Sequence, residues 1–505
     1  MRAIRSVSPD PYLEGGSIRG LDAVRRIAGR GRRVTGWGRT SFAGACGALI
    51  LLICAFVSQT APRLGADLIV TAAPVYVPLA ELRGEERFPH GAQLLLVRNG
   101  KVEPLVSGFA ATADADVSSD AKFILFAGKR TATDPWQIWE LDVAEGSVRK
   151  AITTATDAER PLYLPGGRMV WAERGPHGFQ IESGEDGHPP KVPFLDPPAG
   201  PGMLPLTYIP SSTFPLEIMQ DGRILFESGF PLGEGHVPEL YLVYADGSGV
   251  EAYRCDHGRA RWGGSQLASG DLVFTHGSSL ARFTSALAHE APVAAPRAEY
   301  AGHIAETASG AWLVSARKPG DAHFAIDLWK PGVSSLTPLL TVHDESLVEP
   351  VLLQAGTPPR RFPSGLHPWN YANLLTLDAR ISLGGDLHQV PASVRLEALD
   401  AANHAVVSAV APIASDGSFF VKVPGDRPIR FLLLDRNGRV LRSEHGWFWA
   451  RGGEQRICVG CHASPALSPV NRVPKVLLVT TTPADLTGSL VPTPKQSNPQ
   501  GASSR

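Results

Sequence analysis

Between Leu68 and Val342 the chain repeats one loose pattern: a short apolar run, a polar turn containing glycine, a second apolar run, then a gap. Six runs read as strand cores: Leu94–Val97, Phe123–Phe126, Met169–Trp171, Ile224–Phe226, Leu272–Phe274 and Trp312–Val314. Turn chemistry precedes several of them, as in Gly166-Gly167-Arg168, Asp221-Gly222-Arg223, Ser269-Gly270-Asp271 and Ser309-Gly310-Ala311. Partner strands follow at Gln137–Asp142 and Glu239–Tyr244. The cores recur at intervals of roughly 30 to 55 residues, the range of propeller blades with loop insertions. A small antiparallel sheet cannot bury both faces alone, so such sheets stack radially around an axis. The pattern predicts an all-β protein with a β-propeller of about six blades over residues 67–345. A pair of β-sandwiches is the alternative reading.

The style then changes. Residues 346–375, with Pro358-Pro359-Arg360-Arg361-Phe362-Pro363, read as an extended linker. Residues 376–475 carry strand-like runs at Ala379–Leu383, Ser393–Leu399, Ala405–Val410, Ser418–Val423, Ile429–Leu434 and Arg439–Ser443, which predict a small antiparallel β-sandwich. The tail, residues 476–505, is rich in Pro, Ser, Thr and Gly and reads as disordered.

Composition supports this outline: 52 glycines and 43 prolines favour many short elements joined by turns. A formal net charge of -1 removes the electrostatic footprint of a nucleic-acid binder. Residues 1–66 are different. The first 40 hold nine arginines against three acids, and an uncharged apolar run follows from Ser41 to Val57. A basic flank before a short apolar stretch is the form of a secretory signal or an N-terminal membrane anchor. The expectation is export to the periplasm or beyond, with anchoring by residues 41–57 left open. A buried core helix is the competing reading of that run.

Past the N-terminal region only Cys255, Cys458 and Cys461 remain, too few for a disulfide framework. Two of them stand in Cys458-Val459-Gly460-Cys461-His462, the C-x-x-C-H form of c-type haem attachment. Each thiol adds to a haem vinyl group, and His462 places its imidazole under the iron as proximal ligand. A structural zinc site wants four ligands, and a thioredoxin-like pair wants a helix N-terminus after a strand. Neither context is legible around the motif. The expected cofactor is therefore one covalently bound haem c, with Trp447, Trp449, Arg451 and Arg456 as candidate pocket residues.

Together, Ser415–Pro424, Pro428–Phe431, Trp447-Phe448-Trp449 and Cys458–His462 resemble the middle domain of the hydrazine synthase alpha subunit. Pro135–Leu141 is similar to a blade of the TolB-like propellers that precede such modules in exported proteins. The resemblance implies a propeller followed by a haem-bearing sandwich. It does not imply the reaction. The synthase subunit has a further haem region and a tyrosine shortly after the motif histidine, and Ala463–Val470 holds no tyrosine. Hydrazine synthesis is not expected.

The other side of the iron decides between an electron carrier and a catalyst. Beyond Met1 the methionines are Met169, Met203 and Met219, all within the propeller segment. The candidates for a distal ligand are His445, His257 and His303, and Cys255 with His257 forms a second possible metal pair. Expected partners are a redox protein or a small-molecule ligand. The alternative is a propeller that recruits a protein or glycan, with the haem structural or sensory.

Overall fold

The computed structural model describes residues 55–57, 64–185, 204–232, 235–382, 385–400, 402–444, 446–460 and 472–488. Its strands form eight sheets among these residues, six of them blades of a propeller. The six predicted cores fall in six different blades. Blade 2 shows the pattern, with strands Ala111–Val117, Phe123–Lys129, Gln137–Asp142 and Val148–Ile152 running from axis to rim. Blades 3, 4 and 5 repeat it from Ala158–Leu164, Thr213–Ile218 and Arg261–Gln266 outward. In blade 6 the innermost position is divided between Glu299–Tyr300 and Ala305–Glu306, both paired with Trp312–Arg317. Trp171 and Trp329, each nearly inaccessible, fill space on the blade faces. An apolar sheet face buried on its neighbour is the main source of such a ring's stability.

Closure comes from opposite ends of the propeller segment. Ser346–Leu353 pairs antiparallel with Asp67–Ala73 and is the axial strand of blade 1. The sequence places residues 346–353 in the linker; they belong to the ring, because their burial alternates and Asp67–Ala73 lacks an inner neighbour without them. A second difference concerns the apolar run 41–57. Its last three residues, Ala55–Val57, pair with Leu340–Val342 as an extra outer strand of blade 6. Residues 41–54 lie outside the described residues, and among the described residues no helix is long and apolar enough to cross a membrane.

The sandwich follows. One sheet orders Ala405–Pro412, Ser393–Leu399, Ile429–Leu434 and Val440–Ser443. The other orders Gln455–Cys458, Tyr371–Thr376, Phe419–Pro424 and Ala484–Asp485, with both edge strands parallel to their neighbours. Val394, Leu396, Leu374, Val421 and Phe431 form the core between the sheets. Ala379–Ile381, expected as strand, is a loop held by hydrogen bonds to Gly417 and Asp378. Tyr371–Thr376 is a strand that the linker reading missed. Part of the expected disordered tail is also structured: Lys475–Val479 is a short helix, and Leu486 is fully buried in the sandwich core.

Candidate functional site

Cys458 ends the edge strand Gln455–Cys458, whose register sets it opposite Thr376. The chain enters this strand through a bend that only glycine accommodates. Gly453 has φ of 85°, and a Cβ there would stand 1.8 Å from the carbonyl oxygen of His367. The chain leaves it through Val459 and Gly460, which lie against Asp378 and Ile381; a Cβ on Gly460 would approach Ile381 Cβ to 2.7 Å. Leu377 and Asp378 donate their backbone N–H groups to the carbonyls of Cys458 and Val459 at 2.9 and 3.2 Å. The first half of the motif is thus clamped on one side by backbone.

Burial pushes the Cys458 thiol up, Arg456 opposes, and Glu444 and Glu454 add to the rise. Beside it Glu444, whose carboxylate accepts from the Phe431 N–H at 3.0 Å, is pushed up to about 7 by burial. Cys461, His462 and His445 lie outside the described residues.

The aromatic and basic flank divides. Trp447 is half-buried under the guanidinium of Arg430, 4.6 Å from its ring centre. Arg456 lies beside Cys458 and pairs with Glu454 at 2.7 Å. Trp449 and Arg451, read from sequence as haem-pocket candidates, point instead into the propeller. Trp449 is 1% exposed, packs with Leu206, Phe226 and Val243, and donates from Nε1 to the Gly247 carbonyl at 3.0 Å. Arg451 donates to the Asp246 carbonyl at 3.0 Å and to Asp426 at 2.8 Å, and also meets the Tyr208 hydroxyl. The turn after Gly235–Val243 in blade 4 accepts these groups, so this pair joins sandwich to propeller.

The remaining candidates lie in the propeller. Cys255 and His257 precede blade 5. Burial raises the Cys255 thiol, and His257 Nδ1 lies 2.6 Å from Glu239 Oε2. Among the described residues no three His, Cys, Asp or Glu side chains converge as a metal site. His303 lines the propeller axis, with Nδ1 2.8 Å from Ser265 Oγ.

That axis holds a site the sequence reading missed. In blades 1 to 5 the axial strand is broken by a register shift where it meets the next strand of its sheet. Glu349, Asp114 and Arg160 sit at such shifts with φ of 57°, 58° and 51°, and Gly263 with 62°. Bulges redirect side chains, and a left-handed non-glycine residue costs of order 1–3 kcal/mol. The cost is met by a network of charges. Arg87 pairs with Asp114, Glu349 and Glu81, and Arg160 pairs with Glu227 at 2.7 Å and with Glu81. Despite burial, these carboxylates hold the Arg87 guanidinium well above its ordinary range. Glu81 and Arg87 come from the excursion between Asp67–Ala73 and Gln93–Arg98, whose Phe88 packs with Trp136, Trp262 and Phe324 from three blades. This excursion closes one mouth of the channel.

The space beyond is a cavity of about 690 Å³. Asp116 and Glu217 line it, accepting the backbone N–H groups of Tyr163 and Gln266 at 2.8 and 3.0 Å. Burial pushes Asp116 from 3.8 up to about 7 and Glu217 from 4.5 up to about 8. It pushes His303 from 6.5 down to about 4. A carboxyl raised by folding adds stability at low pH, and loses it as pH climbs from the unfolded to the folded value. A depressed histidine acts oppositely, adding stability above 6.5 that is lost as pH falls toward 4. The two oppose each other below pH 6.5. From pH 6.5 to 8 the carboxyls act alone of the three, so resistance to urea should decline there. The double variant Asp116→Asn, Glu217→Gln should make that decline shallower, with the rest left to Glu444, Glu349 and Glu182; an unchanged slope would show that these two carboxyls do not cause it.

A signal for the axis was present in phase. Asp114, Arg160 and Gly263 each stand nine residues ahead of the cores Phe123, Met169 and Leu272.

Comparison with known proteins agrees with this architecture. A search of the curated proteins finds none that matches. A TolB structure from Acinetobacter baumannii aligns with 58% of this chain and 68% of its own, at 15% identity and a TM-score of 0.43. Hydrazine synthase from Kuenenia stuttgartiensis aligns with 82% of this chain and 71% of its own, at 17% identity and a TM-score of 0.67. Residues 383–463, which include the whole C-x-x-C-H motif, match the hydrazine synthase alpha subunit middle domain, so this chain resembles that module in sequence and hydrazine synthase in fold.

Proposed function

We propose that this chain is an exported c-type haem protein that acts in electron transfer or in haem-dependent redox chemistry on a small molecule. The observation that carries the reading is the position of Cys458: it ends an edge strand inside the matched module, with Cys461 and His462 following at attachment spacing. The backbone on the Cys458 side of the motif supports this reading. Gly460 lies too close to Ile381 to admit a side chain, so the segment between the two thiols keeps a close backbone path. Cys458 and Cys461 would hold the haem by thioethers and His462 would be the proximal ligand. A haem held there supplies a one-electron couple and, with an open axial position, a place for a small ligand. Arg456 adds positive charge beside Cys458. Attachment of this type and the arginine-rich N-terminus both support a location outside the cytoplasm. A role as a binding module is the second reading, supported by the axial cavity.

Expression with a c-type maturation system provides the test. The expected product keeps its haem through acidified organic solvent, and the double variant Cys458→Ser, Cys461→Ser loses covalent haem altogether. Haem that extracts freely, or a protein without haem, overturns the reading. Reduced spectra with and without carbon monoxide then separate the two redox roles, since only an open iron changes.

A further inference from the structure

We propose that the axial cavity of the propeller binds a small organic cation, an ammonium head carried on an apolar body. Charge and shape both lead there. The cavity is closed at one mouth by the Phe88 excursion, and its volume of about 690 Å³ lies within the range of small-molecule pockets. Its walls combine Trp262, Tyr76, Leu162 and Leu216 with several carboxylates. The basic groups are already engaged: Arg87 with Asp114 and Glu349, and Arg160 with Glu227 and Glu81.

Asp116 and Glu217 stand apart from that network. They come from blades 2 and 4, and the Asp116 charge adds to the rise of Glu217 that burial causes. Neither has a basic side chain within salt-bridge distance among the described residues. Glu217 lines the cavity; its Oε2 accepts from Gln266, while Oε1 has no hydrogen-bond donor among the described residues. His303, the remaining basic group on this wall, is held neutral by burial. Two carboxyls that share a walled space with aromatic surface, and lack a cation, are complementary to an ammonium group with a hydrocarbon body.

The test is calorimetric titration of the full-length protein at pH 8 in phosphate. The probes are pentylammonium, cadaverine and choline, with pentanol and pentanoate as neutral and anionic counterparts of the first. At least one cation should bind saturably, and at least tenfold more tightly than pentanol or pentanoate. Asp116→Asn and Glu217→Gln should each weaken it by at least about tenfold, as expected for removal of a buried charge partner. Thermal unfolding of the variants checks that the fold persists. No saturable binding by any of the three cations, equal binding of the neutral counterpart, or no change in the variants overturns the proposal. Cys458→Ser should leave the affinity unchanged, so the outcome is independent of the haem reading.

Discussion

Replacing Trp449 by alanine should lower the stability of the folded protein by about 3–5 kcal/mol, the usual result of truncating a fully buried large aromatic. The indole is 1% exposed, although it belongs to the sandwich and its neighbours belong to the propeller. It lies among Leu164, Val170, Ile181, Phe226 and Val243 from blades 3 and 4, and its N–H donates to the Gly247 carbonyl. Truncation leaves a cavity between two domains and an unsatisfied carbonyl inside it. The remaining joint, Arg451 with Asp246 and Glu454 with Gly249, is polar and cannot exclude water alone. Denaturant unfolding should therefore show the sandwich and propeller separating into two transitions. Limited proteolysis should cut between Leu353 and Tyr371 in the variant sooner than in the parent protein. A single transition at an unchanged midpoint would mean that the joint is not held by this side chain.

Replacing Arg87 by methionine should be comparably severe, again about 3–5 kcal/mol, because removing one member of a buried ionic group leaves its partners uncompensated. The Arg87 side chain is 3% exposed and faces three carboxylates, Glu81, Asp114 and Glu349. Without it Asp114 and Glu349 face each other across a closed end of the channel, both on backbone with positive φ. The defect should ease at acid pH, where Glu349, pushed up to about 7 by burial, takes up a proton, and worsen at alkaline pH. A second change, Glu349→Gln, should recover part of the loss, as groups within one network are not additive. Urea denaturation of the single and double variants across pH 5 to 8 measures both effects. A loss independent of pH and of Glu349 would place the role of Arg87 in packing against Phe88 instead of in charge.

The strands were legible because their signals are local. Ser393–Leu399 and Ile429–Leu434 alternate or cluster apolar residues between turn residues, and each forms where that pattern predicts. Gln455–Cys458 was read only for its chemistry. As an edge strand paired in parallel, it draws its order from Tyr371–Thr376, some 80 residues earlier in the chain. Trp449 and Trp447 are two residues apart and identical in type, and no local feature tells which one enters the propeller. That depends on the blade 4 turn that receives it.

By itself, then, the sequence determined the repeat of six strand cores, the sandwich that follows and the C-x-x-C-H spacing that begins at Cys458. Each is a property of a short window, where periodicity or spacing acts directly on backbone conformation. Only the tertiary structure decided the ring closure by Ser346–Leu353, the domain joint at Trp449 and the charged axis. Asp114, Arg160, Glu227 and Glu349 are unremarkable acids and a base along the chain. They become one electrostatic unit because radial stacking brings the inner strands of separate blades together, where low dielectric makes every unpaired charge costly.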